Sequence, residues 1–237
     1  MVNFVRFPAL SNTNEDGLLA MGGDLSVDTL VSAYSQGIFP WFNQDQPILW
    51  WSPDPRLVLY PDQLKVSKSL AKLVRQQRFE VTCDQAFQQV VRCCALRGAE
   101  KPSSAPAADG PADTWITQSM HDAYSELFDK GYAHSVEVWQ ITAGQRLLVG
   151  GLYGVVLGKV FFGESMFSEV NNASKIALFS LCQRLRQLKF DLIDCQVASE
   201  HLLSLGALEI PRDAFLRHLK SINISDTSEN FSDDFES

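Results

Sequence analysis

Two short stretches carry polar groups in segments that otherwise read as buried strands. Phe161 to Ser168 is FFGESMFS, and twenty-six residues beyond its end LIDCQ brings Asp194, Cys195 and Gln196. A carboxylate among buried strand residues is costly unless it is paired or working, so Glu164 and Asp194 are the first candidates for chemistry. Period-two alternation puts Asp194 and Gln196 on one face of their strand and Cys195 on the other. With the two strands side by side, a carboxylate from each and one amide converge. A buried salt-bridge pair is the alternative that the same spacing allows.

The chemistry open to such a set is narrowed by what the chain lacks. GES lacks the second glycine of a GxSxG elbow, and no histidine neighbours Ser165 in a recognisable arrangement, which disfavours a serine nucleophile. A transfer reaction here would be direct attack on an already activated acyl group, driven by positioning and electrostatics. Gly150, Gly151, Gly154 and Gly158 follow neither GxGxxG nor a GK[ST] pattern, so they read as hairpin and close-packing glycines rather than a phosphate loop. The five cysteines show no CxxC spacing, and His121, His134, His201 and His218 form no HExxH-like arrangement. No metal and no cofactor is expected.

Helical spacing aligns Leu178, Leu181 and Leu185 on one face, and Met166 and Ile193 lie near the two carboxylates. Such a set is core by default, and part of it can equally line an apolar pocket with the polar strand residues at its mouth. Trp41, Trp50, Trp51 and Trp115 sit in loop or junction contexts, suited either to stacking an unpaired base or to packing under long loops.

At 237 residues and 46% hydrophobic, the chain can bury a substantial core. No apolar run reaches the roughly 20 residues of a membrane span, and the start of the chain lacks a basic region followed by a hydrophobic one, so a cytoplasmic location is expected. The formal charge is −8, but Asp226, Glu229, Asp233, Asp234 and Glu236 leave the body at −3. Between Leu64 and Arg97, seven basic residues face two acidic ones, a local cationic region in an acidic protein. There Lys68, Lys72 and Arg75 recur at i, i+4 and i+7 on one helix face, a solvated stripe or a phosphate-facing one.

The elements that must position these residues are readable in outline. Ser26 and Ser67 are suited to cap helices, with Gly37 closing the first. The aromatic, proline-rich run from GIFPWF to LWWSPDPR has neither period and reads as an ordered loop. A strand follows at 79–82, then a helix capped by Asp84, an Ala/Pro/Ser/Gly surface insertion at 98–113, and a helix over 117–130. Beyond these lie a strand at 133–140, a hairpin at 147–164, a helix at 174–188, a strand at 190–197, a short helix near 200–205 and a last helix from Pro211. This order indicates an α+β sheet with a helix packed on it.

Several strings together resemble one family: DGLLAMGGDLS at 16–26, GIFPWF at 37–42, PILWWSPDPR at 47–56, TWIT at 114–117, AHSVEVW at 133–139, FFGESMFS at 161–168, NASK at 172–175, LIDCQ at 192–196 and SLGALEIPR at 204–212. On these the chain is similar to the leucyl/phenylalanyl-tRNA–protein transferases. The resemblance implies a smaller N-terminal α/β domain over 1–64 and a GNAT-like acyltransferase domain over 65–221; the acidic tail over 222–237, which its charge marks as disordered, departs from compact relatives. It implies transfer of Leu, Phe or, less readily, Met from aminoacyl-tRNA to the α-amino group of proteins beginning with Arg or Lys, marking them for degradation by the N-degron pathway, by a monomer.

The same resemblance assigns roles. Asp194 is the base or orienting carboxylate, Gln196 its relay, and Glu164 a binder of the acceptor's cationic N-terminal residue. Leu152, Met166, Leu178 and Ile193 form the apolar pocket, which Leu181 and Leu185 continue. Tyr34, Trp41, Trp115 and Tyr124 lie near the terminal adenosine and its amino acid, and Lys68, Lys72 and Arg75 meet acceptor-stem phosphates. Two other readings remain beside it: an acetyltransferase using coenzyme A, for which NNASK lacks the expected glycine pattern, and a non-catalytic tRNA-binding module.

Overall fold

The computed structural model describes residues 2–100, 116–220 and 231–232. The surface insertion beyond Glu100 and Trp115 therefore lie outside the described residues. A seven-stranded sheet organises the molecule, in the order β10-β4-β9-β8-β7-β6-β5. Its strands are β4 (Arg56–Leu59), β5 (Glu80–Cys83), β6 (Ala133–Thr142), β7 (Gln145–Leu157), β8 (Val160–Ser168), β9 (Leu192–Gln196) and β10 (Leu208–Ile210). Neighbours run antiparallel except β8 and β9, which are parallel and joined by the crossover helix α5 (Ala173–Gln187).

Helices cover both faces, so the strands are apolar on both sides and alternate between two cores. Phe162 and Tyr153 face a cluster built with α1 (Val27–Ser35), α3 (Phe87–Glu100), α4 (Gln118–Asp129) and α7 (Arg212–Leu219). Phe161 and Leu152 face the opposite cluster, built with α5, α2 (Lys68–Arg75) and residues of α6 (Glu200–Ser204). Among the described residues no helix is long and apolar enough to cross a membrane, and no group of His, Cys, Asp and Glu side chains could hold a metal ion.

The helix starts follow their caps. Ser26, Ser67 and Thr117 each accept a hydrogen bond from the backbone N–H three residues on, as the sequence leads one to expect for the first two. The glycines of β7 serve close packing. A Cβ at Gly150 would lie 2.4 Å from that of Ala173, so its absence lets the start of α5 press onto the sheet; one at Gly154 would lie 2.2 Å from the Phe162 carbonyl oxygen.

Three local readings change. The aromatic run is not a loop: β1 (Leu18–Met21), β2 (Phe39–Pro40) and β3 (Leu49–Trp51) form a small antiparallel sheet in the order β1-β3-β2. These strands are too short for a period to register. Asp84 does not cap α3; it adopts a left-handed conformation and accepts from the Ser135 N–H at 2.8 Å, with His134 Nδ1 2.7 Å from its other oxygen. The acidic tail has an apolar anchor, because Phe231 is fully buried.

Candidate active site

The site forms where β8 and β9 part. Their ladder holds three pairs, Val160 with Leu192, Phe161 with Ile193 and Phe162 with Asp194. Beyond it a side-chain bond bridges the strands: Gln196 Nε2 donates to Glu164 Oε1 at 3.0 Å. The opening is a cavity of about 350 Å³ whose lining includes Leu152, Phe161, Met166, Leu178, Leu181 and Ile193. Glu164, Gln196, Ser165, Cys195, Ser199 and His201 give it a polar side. An apolar chamber with a few convergent polar groups is the usual form of a small-group binding site.

Both site strands are bulged, and that aims their side chains. In β8, Tyr153 pairs with Ser165 and Gly154 with Gly163, which leaves Glu164 as the extra residue. In β9, Val58 pairs with Asp194 and Leu57 with Gln196, which leaves Cys195 extra, and Gln196 has φ of 63°. Such insertions bend a strand and redirect what it carries. Alternation would set Cys195 opposite Asp194 and Gln196; instead Cys195 and Gln196 both line the cavity and Asp194 does not.

Glu164 is held by two tyrosines from two helices. Tyr34 of α1 donates to Oε1 at 2.8 Å and Tyr124 of α4 donates to Oε2 at 2.7 Å. Burial pushes the Glu164 carboxyl up to about 7, against the pull of the Tyr124 and Tyr34 hydroxyls, with the Asp194 charge adding to the rise. Burial raises both phenols well above their ordinary range, so they stay protonated and remain donors. Cys195 is kept a thiol, first by burial and then by the Asp194 charge, so it is no thiolate nucleophile.

Asp194 is enclosed. Arg56 grips it bidentately, Nε to Oδ1 at 2.8 Å and Nη2 to Oδ2 at 2.6 Å, and both side chains are fully buried. The guanidinium also donates to the Gly37 carbonyl at 3.2 Å and lies 4.8 and 4.7 Å from the Phe39 and Phe215 ring centres. Asp194 Oδ1 accepts the backbone N–H of Gln196 at 3.0 Å. The carboxylate thus holds the left-handed turn that sends Gln196 to Glu164. Enclosed in this way, Asp194 does not line the cavity.

Other expected residues divide. Leu152, Met166, Leu178, Leu181 and Ile193 meet at the cavity, whereas Leu185 does not reach it and packs as core, one turn further along α5. Tyr34 and Tyr124 have no exposed ring face for a base to stack on; they hold Glu164 instead. Trp41 is 46% exposed and away from the cavity lining, with its carbonyl accepting from Trp51 Nε1. Lys68, Lys72 and Arg75 are exposed on α2, whose Leu70 is buried. Arg56 was missed, although a lone cation opening the apolar strand RLVL was a signal for a buried partner. Ser199, His201 and Leu202 were also missed, and only the fold brings α6 to the cavity.

The parted strands, the apolar chamber and its carboxylate–amide rim define a group-transfer enzyme of α+β architecture. Residues 58–220 match the family model described as leucyl/phenylalanyl-tRNA protein transferase, and residues 23–54 match the one for that protein's N-terminal domain. The chain is 54% identical over 219 residues to the leucyl/phenylalanyl-tRNA–protein transferase of Pseudomonas fluorescens strain Pf0-1, covering 92% of this chain and 91% of the relative. With that of Nitrosospira multiformis it is 53% identical over 91% of this chain and 88% of the relative. Among solved structures, L-PGS from Bacillus licheniformis aligns with a TM-score of 0.37 at 10% identity, over 82% of this chain and 62% of that one, too slight a likeness to carry an argument. The chain belongs to the leucyl/phenylalanyl-tRNA–protein transferase family and is an aminoacyltransferase.

Proposed function

We propose that the protein transfers Leu, Phe and, less readily, Met from aminoacyl-tRNA to the α-amino group of proteins beginning with Arg or Lys, marking them for degradation in the cytoplasm. The observation that carries this reading is the apolar cavity of Leu152, Met166, Leu178, Leu181 and Ile193 with Glu164 and Gln196 on its polar side. The cavity takes the aminoacyl side chain, which suits a family of acyl groups because one methylene changes pocket binding by only about 1–3 kcal/mol.

The ester is already activated, so the protein has to place the amine and manage one proton. The acceptor's amine nitrogen attacks the ester carbonyl, the new C–N bond forms and the bond to the ribose oxygen breaks. Glu164 receives the acceptor's cationic N-terminal residue, takes the amine's proton and returns it to the ribose oxygen as that oxygen leaves. A carboxyl near pH 7 matches an α-amine of ordinary pKa about 7.7–8.0, so neither partner needs to be a strong base or acid. Gln196 orients the amine as relay, held by Asp194, which Arg56 holds in turn.

We also propose a GNAT-like acyltransferase unit over 65–221, an idea supported by the parting of β8 and β9. A smaller unit over 1–64 contributes β4 to its sheet, and the tail runs over 222–237. Aminoacyl-tRNA acceptor-stem phosphates would meet Lys68, Lys72 and Arg75, and Trp41 and Trp115 would flank the terminal adenosine. The working form is a monomer. The reading is tested by incubating purified protein with labelled Leu-tRNA and a peptide beginning with Arg or Lys. Label should enter that peptide and not one beginning with Glu. No transfer, under conditions where an established transferase succeeds, would refute it.

A further inference from the structure

Phe231 lies in an acidic, polar stretch, yet its side chain is 0% exposed. Its ring centre is 4.4 Å from that of His134, 5.9 Å from that of Phe161 at an interplanar angle of 16°, and 6.2 Å from that of Phe190. Arg184 Nε donates to its carbonyl at 3.0 Å. Ring burial and a backbone hydrogen bond together make it an anchor for the C-terminal segment.

Two of these contacts lead to the cavity. Phe161 is one of its walls, and α5, which carries Arg184, also supplies Leu178 and Leu181. The Phe161 ring has little room to move. It lies so close over Gly154 that a Cβ there would fall 2.6 Å from it, and Phe231 stacks on it.

We propose that Phe231 sets the size of the acyl cavity by holding Phe161 in place, which makes the C-terminal segment a determinant of acyl-group specificity. This rests on reading that cavity as the pocket for the aminoacyl side chain. Large-to-small changes in a packed core leave a void into which neighbours relax only in part. With the Phe231 ring gone, Phe161 can withdraw into the vacated space, and the enlarged cavity favours a phenylalanyl over a leucyl group.

The test compares kcat/KM for Phe-tRNA and Leu-tRNA with an Arg-initiated peptide, in the wild-type protein, Phe231→Ala and Phe231→Leu, alongside thermal melting. The Phe-to-Leu ratio should rise about tenfold in Phe231→Ala, the low end for a one-methylene difference in a pocket. It should rise less in Phe231→Leu, which refills most of the volume. A ratio unchanged in both variants overturns the proposal, whether both substrates suffer by one common factor or neither suffers. If Phe231→Ala does not fold at the assay temperature, the ratio in Phe231→Leu decides alone. A wild-type protein that transfers neither group removes the pocket reading and this proposal with it; an active wild type with a fixed ratio removes only the role of Phe231.

Discussion

Glu164 and Glu137 stand on strands of the same sheet, each with its carboxylate held by hydroxyl donors. Glu137 is fully buried, accepts from Thr82 Oγ1 at 2.6 Å and from the Ser135 hydroxyl, and has the Ala86 N–H at 3.4 Å. Thr82 in turn accepts from Trp139 Nε1 at 2.8 Å, which closes the cluster. Burial pushes both carboxyls upward, against the pull of their hydroxyl partners. Only Glu164 borders open space, and only its strand loses its ladder partner there. A buried acid with a raised pKa is therefore not in itself a mark of catalysis. The adjacent cavity is what separates the two: Glu164 borders it, whereas Glu137 braces a strand and a helix start.

Glu164→Gln should have the largest effect. Loss of a positioned proton acceptor should lower transfer by about 10²–10⁴-fold, measured as kcat/KM for a Leu-tRNA donor. In the wild type, kcat/KM should climb as pH rises through about 7, and Gln should remove that part of the rise, leaving the one set by the acceptor amine at about 7.7–8.0. Stability carries the opposite sign. The folded-state pKa of about 7 exceeds the ordinary 4.5, so the unfolded chain holds fewer protons between these values and stability falls as pH rises across them. Glu164→Gln, lacking that loss, should be more stable at pH 8, by up to roughly 3 kcal/mol in denaturant unfolding. Equal stability of the two proteins at pH 8 would contradict the raised pKa.

Arg56→Ala comes next, because it strands Asp194 as a buried charge without a partner. Denaturant unfolding should show a loss of about 3–5 kcal/mol, and Asp194→Asn a similar loss for the converse reason. A transfer defect in Asp194→Asn is informative only at temperatures where the variant is folded. Arg56 is a closed cation, in contrast with the open ones on α2. Lys72→Glu with Arg75→Glu should leave melting nearly unchanged while reducing the salt dependence of tRNA binding by roughly two units of slope. An unaltered slope would remove α2 from the tRNA interface. The smallest effect is expected of Glu137→Gln, with transfer within about twofold of wild type at temperatures where it is folded. A collapse of transfer there would erase the distinction between the two carboxylates.

Local signals in the chain carried far. Ser26 and Ser67 announced α1 and α2 because a cap needs only residues within one turn. The hairpin glycines, the order of elements from β6 to α6, the last helix α7 and the acids on β8 and β9 were legible for the same reason: strand and helix periods, and the turns between them, are short-range properties. Strands β1 to β4 and β10 were not, since at two to four residues they are too short to show alternation, and only their partners make them strands.

The residue types of the site, its apolar lining and the family of the chain are all written in the amino-acid order. Only the folded molecule shows which carboxylate borders the cavity. Two single-residue bulges, which no periodicity reveals, turn Glu164 and Gln196 toward each other and leave Asp194 on Arg56, 138 residues away in the chain. Whether a buried acid meets a cation or an opening depends on groups brought together only by folding, and that meeting sets its charge and its task.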